Sequence, residues 1–241
     1  GTPSILTVEE FSGILELFNL AAGCEVTTEL NPETMSLEYL NKLKHAGINR
    51  ISFGCQTFDD MILKNIGRRH SADCVKHAVK FAKNVGFENI SLDFIYGLPE
   101  QSLKGFENDL NTAIELGVQH ISLYGLKIDE GCYFYEHAPE NLPDEDMQAD
   151  MYLKAIEVLT NAGFEHYEIS NFAKSGYQSR HNLNYWDNNS YYGFGVAAHG
   201  YEDGVRYFNT ASIEEYLKNP MKHKSQHVLN EQEKLEEAIF L

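Results

Sequence analysis

The stretch Gly86-Phe87-Glu88-Asn89-Ile90-Ser91-Leu92 decides the fold, because close copies of it recur along the chain. Residues 47–53 and 117–123 repeat it, and a looser copy begins at Gly163. Each copy follows a segment with helical apolar spacing. A glycine after a helix adopts the left-handed conformation without a Cβ clash, and the β-branched run behind it is typical of a buried strand. Helix, glycine and strand at a period of about 30–45 residues predict a parallel α/β fold.

Local patterns predict the individual elements. Thr7 and Glu10 form a capping box at the start of a first helix, whose apolar stripe runs to Gly23. Strands are predicted over residues 24–30, 51–55, 90–96 and 121–124. The polar stretch 127–144 is read as a loop. After Asn171 the repeating pattern stops, and from residue 212 the sequence reads as the start of a helical domain.

Composition excludes several classes of protein. A net charge of −17 over 241 residues argues against nucleic-acid binding, which needs a basic face. The sequence has no apolar run of about 18 residues, so we predict a cytoplasmic protein with at most peripheral membrane contact. The four cysteines are far apart and form no CxxC pair, which favours reduced thiols and supplies no metal site by spacing. Both ends look cut, so we expect a piece of a longer protein.

Polar residues stand near the ends of the predicted strands, where parallel α/β barrels place their chemistry. These are Glu29, Gln56, Asp93 and Tyr124. A single carboxylate in a strand is often a structural hydrogen-bond acceptor. Several polar residues at equivalent positions of successive strands favour a binding site instead.

Arg68 lies in a basic cluster directly after Gly67. A guanidinium there is suited to hold a carboxylate or phosphate in a two-pronged hydrogen bond. Spacing alone slightly favours a solvated surface cluster.

Five motifs in order now identify a family resemblance. They are Gly1-Thr2-Pro3-Ser4, Glu29-Leu30-Asn31-Pro32, Ser52-Phe53-Gly54-Cys55-Gln56-Thr57-Phe58, Gly67-Arg68 and Asp93-Phe94-Ile95-Tyr96-Gly97-Leu98-Pro99. Together they resemble the radical S-adenosylmethionine (SAM) family of oxygen-independent coproporphyrinogen III oxidases, over essentially the whole chain. No single motif would suffice.

The resemblance implies a partial (β/α) TIM-like barrel that lacks its first strands, with SAM lying across the strand ends. It implies that SAM is contacted by Gly1, Thr2, Glu29, Gln56, Arg68 and Asp93. Arginine suits the methionine carboxylate, a carboxylate suits the amino group, and Gln or Asp suits ribose hydroxyls, although the individual pairings stay open. Family members hold a [4Fe–4S] cluster with a CxxxCxxC motif that this sequence lacks, so no cluster ligand is expected in this chain.

His181, Tyr185 and Trp186 form an HNxxYW motif, which resembles the heme-chaperone branch of this family. An imidazole beside flat aromatic rings suits a porphyrin, since histidine ligates iron and aromatic rings stack. The alternative is a buried aromatic cluster under a loop. His199, in a stretch of small residues, is a second candidate that could line the SAM pocket, ligate heme or close its loop.

Two functions follow from the resemblance. The first is a heme carrier that binds SAM, a cluster and heme, and passes heme to an acceptor such as a respiratory protein. The second is an enzyme that decarboxylates the propionates of coproporphyrinogen III to form protoporphyrinogen IX. HNxxYW favours the carrier, so enzymatic activity is left open. We predict three segments: a partial barrel over 1–170, an aromatic segment over 171–211 and the start of a further domain over 212–241.

Overall fold

A computed structural model describes the chain from residue 5 to residue 240, apart from the side chain of Thr34. The chain divides into two compact units, Gly1–Gln178 and Ser179–Leu241. The first unit contains every copy of the repeated phrase, and the second contains the HNxxYW motif. The three segments predicted from the sequence stay a prediction; the second compact unit starts at Ser179.

An open six-stranded sheet forms the centre of the first unit, within the described residues. Its strands are β1 (Thr27–Leu30), β2 (Arg50–Gln56), β3 (Ile90–Tyr96), β4 (His120–Gly125), β5 (Glu165–Glu168) and β6 (Asn171–Ala173). Their order is β1-β2-β3-β4-β6-β5. Strands β1 to β4 pair in parallel, whereas β6 runs antiparallel to both β4 and β5. The predicted α/β class with a parallel sheet is confirmed.

Helices precede and follow these strands. They are α1 (Val8–Leu15), α2 (Leu37–His45), α3 (Asp60–Asn65), α4 (Ala72–Asn84), α5 (Leu103–Glu115), α6 (Tyr133–Glu136) and α7 (Glu145–Asn161), with a 3₁₀ turn over Pro32–Thr34. Ser71 caps α4 by accepting from the Cys74 amide, and Gly86 follows that helix at φ 85°. The serine caps the first turn of the helix, and the left-handed glycine ends its last turn. This explains why each copy of the repeated phrase begins where a helix ends. In the described part of the chain, no helix is long and apolar enough to cross a membrane.

The two faces of the sheet differ in chemistry. One face is apolar and packs in a single core with α2, α4, α5 and α7; its strand residues include Ile51, Phe53, Leu92, Phe94, Ile121 and Leu123. Alternate residues point to the opposite face, because successive side chains of a strand alternate. That face, here called the polar face, carries Arg50, Ser52, Ser91, Asp93, His120 and Ser122. Burial of the apolar face on the helices therefore leaves the polar face for ligands.

Three local predictions were wrong. Helix α1 ends at Leu15 and not near Gly23, and Phe18 is exposed, so the later part of its apolar stripe is not helical. Strand β1 is shorter than expected and begins at Thr27. The stretch read as a loop contains the short helix α6. The looser fourth copy does form β5, but β5 joins the sheet antiparallel through β6.

The second unit contains a three-stranded antiparallel sheet, as far as the structure describes it. Its strands are β7 (His199–Glu202), β8 (Val205–Asn209) and β9 (His223–Val228), and its helices are α8 (Arg180–Trp186), α9 (Ile213–Lys218) and α10 (Glu231–Phe240). Arg206 on β8 donates from Nε and Nη2 to the two carboxylate oxygens of Glu237 on α10, each at 2.6 Å. Helical structure was predicted after residue 212, whereas strand β9 was not predicted.

Candidate functional site

Two of the predicted SAM residues lie close together on the polar face. Strand pairing places Glu29 opposite Ser52, and Gly54 opposite Asp93. Ser52 pairs in turn with Ser91, so Glu29 lies two strands across from Asp93 and two residues further back along the sheet. The Glu29 charge contributes to the raised pKa of Asp93, which agrees with this proximity. The sheet thus gathers two carboxylates near its carboxyl edge.

Asp93 is half-buried and is held by serines of its own and the neighbouring strand. Ser52 Oγ donates to Asp93 Oδ1 at 2.8 Å, and Ser91 Oγ lies 3.5 Å from the same oxygen. Burial raises the pKa of Asp93, while the Ser52 and Ser122 hydroxyls offset part of that rise. An ionised carboxylate has about four acceptor sites, so Asp93 keeps capacity for a ligand hydroxyl or amino group beside these serines.

Gln56 ends β2 in a left-handed conformation, with φ 67°, and is 7% exposed. The pairing of β2 with β3 is irregular between Gly54 and Gln56. A Cβ at Gly54 would lie 3.0 Å from Gln56 Nε2, so the amide of Gln56 occupies the space that the glycine leaves. Non-glycine residues in this conformation cost free energy and cluster at functional sites. The strain supports a functional role for this strand end.

Arg68 stands apart from the other predicted SAM residues. It is exposed, and its amide closes α3 by donating to Leu63 O at 2.9 Å. The loop is anchored by His70, whose Nε2 lies 3.2 Å from Cys55 O of β2. Arg68 forms no ion pair within the described chain. Gly1 and Thr2, also predicted to contact SAM, lie outside the described residues.

A cavity of 620 Å³ opens beside the loop that carries Arg68. Its wall includes Lys64 and Gly67 after β2, and Lys127 and Tyr133 after β4. Small-molecule pockets commonly measure about 300–1,000 Å³. The cavity lies between the segments that follow β2 and β4, and none of the predicted SAM residues in the described chain lines it.

Sequence reasoning missed a hydrogen-bonded chain next to Asp93. Ser91 Oγ lies 2.8 Å from His120 Nδ1, and His120 Nε2 lies 2.8 Å from the Tyr167 hydroxyl. Ser91 and His120 are fully buried. Burial and the nearby Arg50 charge lower the pKa of His120 to about 3, so its imidazole is neutral. The signal was present in the repeated Ile-Ser pairs of β2, β3 and β4, whose serines alternate onto the polar face.

The HNxxYW residues occupy helix α8 of the second unit. His181 and Tyr185 are one turn apart, with ring centroids 4.6 Å apart in an edge-on arrangement. Tyr185 also meets Tyr191 edge-on at 4.5 Å. His181 and Tyr185 are exposed, and Trp186 is half-buried. The imidazole is thus open to a ligand rather than enclosed in a buried aromatic cluster.

His199 has a different environment from His181. It begins β7 and stacks on Phe208 of β8, with centroids 5.3 Å apart. The small residue Gly200 beside it has a packing reason, since a Cβ there would lie 2.1 Å from the Tyr207 ring. Gly193 has one too, because its Cβ would lie 2.0 Å from His199 O. Close packing within the second unit accounts for both of these glycines.

The cysteines do not assemble a metal centre within the described residues. All four are free thiols, and only Cys55 is buried. No group of three or more His, Cys, Asp or Glu side chains in the described chain is arranged to hold a metal ion. The described residues do not supply the ligands of a [4Fe–4S] cluster, so no chemical role is assigned to a cluster in this chain.

Comparison with known proteins identifies the class. Residues 1–113 match the family model described as the radical SAM superfamily. Coproporphyrinogen III oxidase (HemN) from Escherichia coli, a radical SAM enzyme, superposes on 99% of this chain and 60% of its own, with a TM-score of 0.87 and 20% identity. That likeness shows the fold. The chain belongs to the radical SAM superfamily, and the fold predicted from its motifs is confirmed.

Curated relatives narrow the assignment to one branch. Over its full length the chain is 39% identical to the heme chaperone HemW of Bacillus subtilis and 39% identical to that of Lactococcus lactis. The HemW protein of Escherichia coli is 41% identical over 83% of the chain. The chain spans 67%, 66% and 54% of these relatives, respectively. It belongs to the HemW branch, as the HNxxYW motif predicted.

Proposed function

We propose that this chain is the SAM-binding and heme-binding part of a heme carrier. In the longer protein it binds SAM at the carboxyl edge of the sheet, beside a [4Fe–4S] cluster whose ligands lie outside this chain. It binds heme through the HNxxYW helix and transfers it to an acceptor protein, with a respiratory protein as one candidate. We place this activity in the cytoplasm, with at most peripheral membrane contact and without nucleic acid.

The observation that carries the proposal is the half-buried Asp93 beside Glu29 on the polar face. Burial raises the pKa of Asp93, so an ionised carboxylate there gains from a ligand that donates hydrogen bonds. Gln56 supplies an amide at the end of the neighbouring strand. A hydroxyl-rich ligand with an amino group matches these acceptors. Its carboxylate matches an arginine such as Arg68 on the adjoining loop.

Bound SAM would supply a sulfonium group and a methionine tail, and the described residues would orient it. Glu29 and Asp93 offer oxygen acceptors, Gln56 offers both a donor and an acceptor, and Arg68 offers a planar pair of donors. The buried strand residues around them exclude water from one side of the site.

SAM binding is tested in the full-length protein by calorimetric titration. Arg68→Ala and Asp93→Ala should each weaken SAM binding about ten- to a hundredfold, because one charge-assisted hydrogen bond is worth roughly 1.5–3 kcal/mol. The neighbouring exposed Arg69→Ala is the matched control and should leave affinity unchanged. Unchanged affinity in both test variants removes these residues from the site.

Heme binding is tested by absorbance of the full-length protein. Heme uptake should give a Soret band, and His181→Ala should shift or weaken it, because loss of an axial ligand changes the coordination of iron. Trp186→Ala should weaken retention less, through lost stacking. His45→Ala, which changes an exposed histidine of α2, is the control. The same test separates His181 from His199 as the ligand.

The alternative function is oxidative decarboxylation of coproporphyrinogen III. The structural likeness to HemN concerns the fold, whereas the curated HemW relatives favour the carrier. With SAM and a reductant, the carrier should form no protoporphyrinogen from coproporphyrinogen III. Sustained turnover, together with a heme spectrum indifferent to His181→Ala, would overturn the carrier in favour of the enzyme.

A further inference from the structure

Three side chains of the polar face form a continuous hydrogen-bonded chain that ends at Asp93. Tyr167 on β5 contacts His120 on β4, His120 contacts Ser91 on β3, and Ser91 approaches Asp93 Oδ1. The first two contacts measure 2.8 Å and the last 3.5 Å. The chain crosses the sheet from its outer strand to the predicted SAM site.

Counting protons allows this chain two directions. A neutral imidazole has one N–H donor and one acceptor nitrogen, and a hydroxyl donates one proton. If Tyr167 donates to His120 Nε2, then Nδ1–H donates to Ser91 Oγ, and the Ser91 proton is free to reach Asp93. In the opposite direction Ser91 donates to His120 and Asp93 loses that donor. Only the first direction delivers a proton to the carboxylate.

The strand geometry shows how Tyr167 reaches the polar face. Pairing of β5 with β6 is irregular between His166 and Glu168. A bulge places two successive residues on one side of a strand and re-aims a side chain. Glu168 pairs opposite Asn171, and Asn171 pairs opposite Ser122, so Glu168 belongs to the polar face. Tyr167 points to the polar face by ordinary alternation, since the preceding His166 stacks on Phe172 of the apolar core.

We propose that Tyr167, His120 and Ser91 act as positioning residues, a directed hydrogen-bond relay that holds the Asp93 carboxylate as an acceptor for its ligand. This inference rests on the proposed SAM-binding role of Asp93. The relay itself is defined without SAM. It predicts that removal of the Tyr167 hydroxyl acts on Asp93 through two intervening residues.

Loss of the relay should raise the pKa of Asp93. A donor to the ionised carboxylate favours ionisation, so its removal disfavours the charged form. Other charged or titratable groups near Asp93 are Glu29 on β1, Arg50 on β2, Tyr124 on β4 and Glu168 on β5. The Tyr167→Phe substitution changes none of them, so a change in the pH dependence reports on the relay.

The experiment measures thermal unfolding midpoints of the full-length protein between pH 7 and pH 5, without SAM. Tyr167→Phe should lower the midpoint more at pH 7 than at pH 5, because the Ser91 donor favours the ionised form of Asp93, whose population decreases as the pH falls. Tyr39→Phe is the matched control, since its hydroxyl donates to the backbone oxygen of Leu6 at 3.0 Å outside the relay. Its effect should be the same at every pH.

A double variant tests whether the links act as one chain. Ser91→Ala removes the last link, so adding Tyr167→Phe to it should produce no further pH-dependent loss. A pH-dependent loss in the double variant equal to the sum of the two single losses overturns the relay. So does a Tyr167→Phe loss that is equal at pH 7 and pH 5.

SAM titration over the same pH range separates the relay from the proposed function. Tyr167→Phe should move the fall in SAM affinity to a higher pH, and Asp93→Asn should abolish the pH dependence. If Asp93→Asn leaves SAM affinity unchanged, the SAM assignment fails while the unfolding series still decides the relay. If Asp93→Asn weakens SAM binding, but Tyr167→Phe changes the pH dependence of neither the unfolding midpoint nor the SAM affinity, only the relay is overturned.

Discussion

Asp93 and Asp109 both have pKa values raised by burial, yet the two sides of the sheet use them differently. Asp109 lies on α5 and is 5% exposed. Its Oδ2 accepts from Thr57 Oγ1 at 2.7 Å, and its Oδ1 accepts from the Phe58 amide at 2.8 Å. Asp93 instead receives Ser52 and, at 3.5 Å, Ser91 at one oxygen, Oδ1, and the Ser122 hydroxyl also hydrogen-bonds to this carboxylate. Asp109 is enclosed in the core, whereas Asp93 is half-buried on the polar face, where a ligand can reach it.

The difference shows that a raised pKa alone does not identify a binding residue. Structural and functional carboxylates share the same burial cost. What separates them is where their oxygens point and which donors already occupy them. Asp109 ties α5 to the turn after β2, so its removal should affect stability. Asp93 lies on the face without covering helices, so its removal should affect ligand affinity.

The largest expected effect is loss of stability in Asp109→Ala. Removal of the carboxylate leaves the Thr57 hydroxyl and the Phe58 amide without their acceptor in a buried site. We expect a loss of about 3 kcal/mol in the free energy of unfolding. Urea unfolding of the full-length protein at pH 5 measures it, with Asp93→Ala as the matched variant. Equal losses in the two variants would break the comparison.

The pH dependence of Asp109 should be the next largest effect. The folded-state pKa is raised from 3.8 to about 6, with burial as the largest cause. The folded state therefore holds this proton more tightly, so the contribution favours folding below about pH 4 and is lost as the pH rises through 6. From pH 4.5 to pH 7, wild type should lose about 2 kcal/mol relative to Asp109→Asn. Urea unfolding at each pH measures this difference. If the free energies of unfolding of wild type and Asp109→Asn change in parallel from pH 4.5 to pH 7, the prediction is contradicted.

The sequence predicted the sheet well because strand and helix signals are local. The period of the repeated phrase gave β2, β3 and β4 close to their observed bounds, and the capping box at Thr7 is confirmed. The end of α1 was missed because apolar spacing continued past Leu15 into a segment that does not pack in the core. Strand β9 was missed because its residues are polar and mostly exposed.

The candidate site was only partly predictable for a different reason. Glu29, Gln56 and Asp93 stand near strand ends, so local pattern and family motifs pointed to them. Tyr167 reaches its partner across 47 residues of sequence. That contact depends on the antiparallel addition of β5 and β6 to the sheet, which has no local sequence signal. Long-range pairing thus hides the relay from sequence reasoning.

The smallest expected effect is the most informative test of Asp93. At pH 7 an ionised Asp93 carries a burial cost, because its folded-state pKa is raised. An asparagine keeps Oδ1 as an acceptor for Ser52 and Ser91 while removing the charge. We expect Asp93→Asn to change the free energy of unfolding by less than about 1 kcal/mol, towards higher stability. Urea unfolding at pH 7 without SAM measures it.

Asp109→Asn supplies the matched comparison for that small effect. Its amide nitrogen would face one of two donors, since Thr57 and the Phe58 amide occupy both carboxylate oxygens. Thr57 Oγ1 already accepts from the Asp59 amide at 3.1 Å, so it is poorly placed to accept from the new nitrogen as well. A neutral amide should therefore be tolerated at position 93 and costly at position 109, where one of two buried donors loses its acceptor. If Asp93→Asn destabilises the protein as much as Asp109→Asn at pH 5, the Asp93 carboxylate is a structural acceptor and not a ligand site.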